Sequence, residues 1–229
     1  MYLDYPARVP LPETPTGVFM FDDGGETDFT EAFPCLSGYG YPATPYVNTA
    51  DISTRRKLSE SQLADLAAGG WLVGSHTATH PNLRDLDDPA AIRSEVGDAR
   101  EWLTERGCTD GASHFAYPYD AVDEQALRIV SEFHSTGRAG GWQPVPLPSS
   151  PQLIPGAGGP EPGEATRLLD QAVRYGGVVC FFFHYLDGDP LERFRRVVDE
   201  VHRREREGEL QVVRVDELEA MAGRATDHG

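Results

Sequence analysis

Seven short apolar runs alternate along the chain with segments of helical period: GVFMF, ATPYVN, WLVGS, SHFAY, HSTGRA, VVCFFF and LQVVRV. Runs that stay apolar on successive residues bury both faces of a strand, as happens in a parallel sheet covered or closed on itself. The helical segments carry their own punctuation. In SESQLADLAAGG, Ser59 and Gln62 form a capping box and Gly69 and Gly70 mark the stop. In DDPAAIRSEVGDAREWLTERG, Asp88 is the N-cap, Pro89 the first helical residue and Gly107 the end, with Ile92, Val96, Ala99 and Leu103 on one face. GDPLERFRRVVDEVHRREREG repeats the device, with Asp189 as N-cap, Pro190 after it, and a stripe of Leu191, Phe194, Val197, Val198 and Val201. The expected architecture is therefore α/β, a single-domain barrel of about seven strand-helix units. The proline-rich stretch from Gly140 to Glu164 reads as a long loop near the site or a spacer, not as regular helix or central strand.

A chain of 229 residues suits one compact domain. Its 37 Asp and Glu against 20 Lys and Arg leave a net charge of -17, which argues against nucleic-acid phosphates and anionic membrane surfaces as partners. A neutral or cationic substrate fits better. Lys57 is the one lysine beside 19 arginines, and the excess acid is dispersed along the chain, the pattern of a salt-adapted, halophilic surface, with an arginine-rich genome as the other reading. Cys35, Cys108 and Cys180 lie far apart with no CxxC, so neither a disulfide framework nor a thiolate zinc site is expected, only free thiols. The sequence shows no apolar stretch of about 18 residues and no basic start leading into one, so the expectation is no membrane span, no signal peptide and a cytoplasmic location.

Four of the strand candidates end in polar groups: Asp22 and Asp23, His76 and His80, YPYD, and His184. In a parallel barrel the loops after the strands converge on one rim, so these groups should meet. Adjacent carboxylates repel each other unless a cation sits beside them or one is protonated. His76 and His80, four apart in SHTATH, can face one metal from a single helical turn, and two histidines with one carboxylate are a common set for zinc or iron. The remaining histidines, His114, His134, His202 and His228, are read as hydrogen-bonded loop residues.

FMFDDGG, GSHTATHPNL, FAYPYD and VVCFFFHYL together resemble the ordered motifs of polysaccharide deacetylases, carbohydrate esterase family four, from about Gly17 to Leu186. The resemblance implies a distorted (β/α)7 barrel and metal-dependent removal of N- or O-acetyl groups, usually from amino sugars. It implies Asp22 as general base, Asp23, His76 and His80 as ligands of a divalent ion, Zn2+ being the expected one, and His184 as general acid. Pro118 and Tyr119 match the Pro-Tyr whose backbone N–H serves the oxyanion. Phe182 stands where a residue lining the acetyl-methyl pocket is expected, and Trp142 is a candidate second wall; plain core packing is the other reading of both. One departure is Ala116, where many members carry an arginine that orients the base. Arg138 is a candidate replacement, and an ordinary surface ion pair is its other reading. Two alternatives to the carbohydrate deacetylase stand beside it: a cyclic-amide hydrolase on the same scaffold, and a carbohydrate-binding protein without turnover. The presence of both Asp22 and His184 favours an enzyme.

A net charge of -17 repels itself at low ionic strength and is screened by salt. The melting temperature should therefore rise from low to molar NaCl; an unchanged value would reject the salt-adapted surface.

Overall fold

The computed structural model describes residues 14–141, 151–218 and 221. Seven parallel strands close into a ring: β1 (Thr16–Phe21), β2 (Thr44–Val47), β3 (Gly74–Ser75), β4 (His114–Ala116), β5 (Thr136–Gly140), β6 (Ile154–Gly158) and β7 (Val178–Phe183), with β7 paired back onto β1. Helices α1 (Phe33–Ser37), α2 (Glu60–Ala68), α3 (Pro89–Glu105), α4 (Glu124–Phe133), α5 (Pro162–Tyr175) and α6 (Asp189–Arg206) follow β1, β2, β3, β4, β6 and β7. Between β5 and β6 the described residues hold only the short turn Pro151–Leu153. No helix among the described residues is long and apolar enough to cross a membrane.

The apolar runs do bury both faces. Val18 and Met20 on β1, with Val178, Cys180 and Phe182 on β7, point into the barrel among Tyr46, Ala116 and Ile154. Their alternates, Phe19, Phe21, Val179, Phe181 and Phe183, pack outward against Leu168 and Leu169 of α5 and Phe194, Val197, Val198 and Val201 of α6. Each such side chain contributes about 1.5–3 kcal/mol on leaving water, which is what keeps helices pressed on the ring. Helix α3 buries the expected face, Ile92, Val96, Ala99 and Leu103, and Asp88 accepts from the Ala90 N–H at 2.9 Å. In α2 both halves of the Ser59–Gln62 capping box are made. Cys108 and Cys180 are buried free thiols and Cys35 is half-buried.

The structure corrects four readings. LQVVRV is not a ring strand: only Gln211–Val212 (β8) pairs, in parallel with Thr16 and Gly17 at the start of β1. β1 meets β2 at Met20 and Phe21 alone, so its lower half has a free edge, and β8 takes it. Val213, Val215 and Leu218 then join the interior cluster at that end. This splay is the distortion of the barrel. The seventh ring strand is instead β6, inside the proline-rich stretch, and α5 begins there too, at Pro162. Pro155 is tolerated because its nitrogen points toward β7, where the ladder starts only at Gly156 opposite Cys180, while on the β5 side the Gly156 carbonyl accepts from the Gly141 N–H at 3.0 Å. Asp189 is the first residue of α6 and not its cap; Gly188, at φ 61°, holds the cap position. His114 opens β4 and His202 lies within α6, so neither is a loop residue, although both are hydrogen-bonded, to Thr136 Oγ1 (2.8 Å) and the Tyr41 hydroxyl (3.1 Å). His134 caps α4, with Nδ1 3.0 Å from the Ala112 carbonyl. His228 and Trp142 lie outside the described residues.

A Cβ on Gly111 would come within 2.3 Å of the Val73 carbonyl oxygen, backbone that cannot swing away. Gly111→Ala should lower stability by about 1–3 kcal/mol, the usual cost of overpacking, and the chain just before β3 would absorb the shift. Chemical denaturation measures it; a loss of under a few tenths of a kcal/mol would mean the approach is looser than described.

Candidate active site and metal centre

The carboxyl ends of β1, β3, β4 and β7 bring Asp22, Asp23, His76, His80, Tyr119 and His184 to one cavity of about 600 Å³, as barrel geometry requires. The two aspartates diverge. Asp22 donates its N–H to the Phe183 carbonyl at 2.8 Å, continuing the β1–β7 ladder, and its side chain is buried, 3% exposed. Asp23 and Gly24 then both turn left-handed, at φ 70° and 61°, which swings the Asp23 carboxylate outward. Glycine suits position 24, because a Cβ there would press on Val47 Cγ1 at 3.0 Å as well as straining the left-handed backbone.

His76 follows β3 directly, and its ring is fixed by Nδ1 at 2.7 Å from the Ala116 carbonyl, which makes Nδ1 the donor and leaves Nε2 to face the cavity. Burial lowers its pKa to about 4, so it is neutral near pH 7, the form that ligates a metal. SHTATH is not a helical turn: it is an irregular loop in which Thr77 and His80 have positive φ, closed by the His80 N–H donating to Thr77 Oγ1 at 2.9 Å. The loop nevertheless delivers the convergence expected of the spacing. His80 Nε2 lies 3.2 Å from His76 Nε2 and 3.3 Å from Asp23 Oδ1, and His76 Nε2 lies 3.8 Å from the same oxygen. One ligand atom from each residue falls within 4.8 Å of the others, a donor set that fits a divalent ion with coordination positions left open.

Arg138 is no surface ion pair. It is 1% exposed, donates from Nη2 to Asp22 Oδ2 at 2.5 Å and from Nη1 to Asp120 Oδ1 at 2.6 Å, and stacks 4.0 Å from the Phe182 ring centroid. Burial works against its charge, but Asp22 and Asp120 more than offset that, so its pKa is raised. Its strand position lies opposite Ala116 in the β4–β5 register, so the guanidinium that reaches Asp22 comes from the strand next to Ala116. Asp22 Oδ1 is buried without a protein partner. His184 Nε2 stands 3.9 Å from Asp22 Oδ2, with the imidazole 53% exposed. Pro118 is buried at the start of a tight turn, whereas Tyr119, left-handed at φ 58°, is 68% exposed with its ring 4.7 Å from that of His80. Phe182 both packs in the interior cluster and lines the cavity.

Three residues near the site drew no role from the sequence. Asp120 is the last letter of YPYD and carries the other arm of Arg138. Lys57 donates to the Asp23 carbonyl, and its being the sole lysine was the available signal. Asp28 had none. It is fully buried, and burial, with Asp22 and Asp23 adding to it, raises its pKa well above the ordinary 3.8, against the weaker opposing pull of Lys57 and the Gly25 N–H. A raised carboxyl pKa means the folded state holds the proton that the unfolded chain has released, so stability falls as pH climbs above the unfolded value. Asparagine cannot ionise. In metal-free protein, the melting temperature of Asp28→Asn minus that of wild type should therefore grow more positive from about pH 4 to about pH 8; a difference independent of pH would count against a neutral Asp28.

The chain is 26% identical over 188 residues to the chitooligosaccharide deacetylase of Rhizobium leguminosarum bv. phaseoli, covering 81% of this chain and 73% of that protein. It is 29% identical over 112 residues to YxkH of Bacillus subtilis (strain 168), a protein assigned to the polysaccharide deacetylases; that match covers 49% of this chain but only 39% of YxkH. Among solved structures, a carbohydrate esterase family four pseudoenzyme from Bacillus anthracis superposes with a TM-score of 0.62 at 15% identity, over 90% of this chain and 66% of that one, a likeness of fold alone. The sequence model of the family described as polysaccharide deacetylase matches residues 12–137, more than half the chain, and the protein belongs to that family.

Proposed function

We propose that the protein is a metal-dependent hydrolase that removes acetyl groups from an amino-sugar polysaccharide or oligosaccharide. The observation that carries this reading is the division between the adjacent aspartates: Asp22 turns inward onto Arg138, and Asp23 turns outward toward two imidazoles. Asp23, His76 and His80 would hold the ion, with zinc the expected one for two nitrogens and an oxygen. When bound, a divalent cation supplies polarisation of the acetyl carbonyl and a more acidic water.

The chain's own groups do the rest. Arg138 fixes one oxygen of Asp22, and the other, buried without a protein partner, is the candidate general base toward water. His184, half-exposed at the mouth, is the candidate general acid that would pass a proton to the leaving nitrogen. The backbone N–H of Tyr119 is the candidate donor to the developing oxyanion, and Phe182 gives the acetyl methyl an apolar wall. Membership of the fold does not by itself carry activity, because a structural neighbour is a pseudoenzyme. Here Asp22, Asp23, His76, His80 and His184 all line one cavity.

Asp22→Asn and Asp23→Asn change the same chemical group one residue apart and should give opposite defects. Asparagine at 22 still accepts a hydrogen bond but cannot take a proton, so turnover should fall about a hundredfold to ten-thousandfold with metal retained. At 23 the lost charge should strip the metal itself. Metal content and acetate release from chito-oligosaccharides, measured alongside a panel of cyclic amides, separate the roles. Metal loss in Asp22→Asn with retention in Asp23→Asn would reverse the assignment, and full activity in both would end the mechanism.

A further inference from the structure

We propose that Lys57 is a positioning residue for the metal centre, holding the backbone of Asp23 in the left-handed turn that aims its carboxylate at His76 and His80. The inference rests on the reading of Asp23 as a ligand. Asp23 sits at φ 70°, a left-handed conformation that a residue with a side chain keeps only where its surroundings hold it. Lys57 supplies that hold. Its Nζ donates to the Asp23 carbonyl at 2.8 Å from a side chain only 15% exposed. The contact is the end of a short zipper. Leu58 N–H donates to the Gly24 carbonyl and Glu26 N–H to the Arg56 carbonyl, both at 2.9 Å, and Gly25 and Lys57 form an antiparallel bridge.

The ammonium is held from other sides as well. Asp51 Oδ2 lies 3.6 Å away, and the Tyr185 ring centroid 5.5 Å away. Tyr185 is the neighbour of His184, and Gly25 makes room for its ring, since a Cβ there would sit 3.0 Å from Tyr185 Cε1. One amine thus ties the turn bearing the metal ligand to the segment bearing the acid. The chemistry also suits lysine over the 19 arginines used elsewhere. A compact ammonium on a straight stem can point at a single carbonyl, whereas a planar guanidinium presents a fork that asks for two acceptors and more room.

Simple electrostatics predicts the opposite sign, because removing a cation from beside a dication should tighten metal binding. That makes the test sharp. Full-length protein, stripped of metal, is titrated with Zn2+ against a competing chelator. Lys57→Met should weaken Zn2+ affinity about 10- to 100-fold, the usual range for a group that orients a ligand, with little change in the melting temperature of the metal-free protein. The zinc concentration giving half-maximal activity should rise, while the rate at saturating zinc falls far less. Lys57→Arg, which keeps a donor and the charge, should recover part of the affinity. Equal or tighter Zn2+ binding by Lys57→Met overturns the proposal and leaves the metal site standing. Failure of wild type to bind Zn2+ would instead overturn the reading of Asp23 on which it rests. If Lys57→Met does not fold, hydrogen exchange on wild type decides. Because coupling is reciprocal, Zn2+ should slow exchange of the Leu58 and Glu26 amides, and unchanged exchange there in zinc-loaded protein overturns the proposal.

Discussion

A guanidinium buried at the mouth of a barrel must be answered by carboxylates, and much of this site follows from how Arg138 is answered. Taking such a charge out of water costs several kcal/mol, recovered only when the pairing geometry is good and the remaining faces are covered. Arg138 has Asp22 on one arm, Asp120 on the other and the Phe182 ring on its flat side. β6 leaves the space: a Cβ on Gly156 would lie 2.8 Å from Arg138 Cδ and 2.9 Å from Phe182 Cδ1. Ion pairing, stacking and a bare stretch of backbone therefore depend on one another, and they link β1, β5, β6, β7 and the turn after β4. Loss of Arg138 itself would leave the buried Asp22 carboxylate uncompensated, a change worth about 3–5 kcal/mol.

Ala116 shows how a strand can serve a site without offering a side chain to it. Its carbonyl accepts from His76 Nδ1, which orients the imidazole and leaves Nε2 facing the cavity and the other candidate ligands. Its register partner is Arg138, so the same position on β4 sets where the guanidinium stands. A small residue there leaves room for an arginine from next door, and Asp22 is paired from that neighbouring strand.

The parts of this arrangement that were legible in the sequence are those carried by local pattern. The stripe of α3, the capping box of α2 and the placing of Asp22, Asp23, His76, His80 and His184 at strand ends depend on residues close in the chain. Arg138 could not be settled that way, because its distinction from a surface ion pair lies in a β4–β5 register that no short segment encodes. β6 was hidden for a related reason. Its composition, IPGAG, says turn, and only its neighbours explain it: the β7 ladder starts after Pro155, and Arg138 and Phe182 fill the space beside the glycines. LQVVRV misled in the opposite sense, since its apolar run suits a ring strand but the edge available to it is half of β1.

The spacing in SHTATH led to the right convergence through the wrong local geometry, and the difference bears on function. On a helical turn the two imidazoles would be held by the backbone ladder of the helix. Here the loop depends on positive φ at Thr77 and His80 and on a side-chain hydroxyl closing the turn, while Asp23 opposite it is also left-handed. Two of the three candidate ligands therefore sit on strained backbone. Strain of this kind persists only where surrounding contacts over-determine it. Those contacts are visible on both sides: the Ala78 N–H donates to the Glu95 carbonyl of α3 at 3.0 Å, the Thr79 N–H donates to the Glu95 carboxylate at 2.8 Å, and Lys57 grips the Asp23 carbonyl. The ligand set is thus held by the elements that follow β2 and β3 as much as by the strands that present it, so the precision of the site comes from its loops being tied down, not from its being built on regular structure.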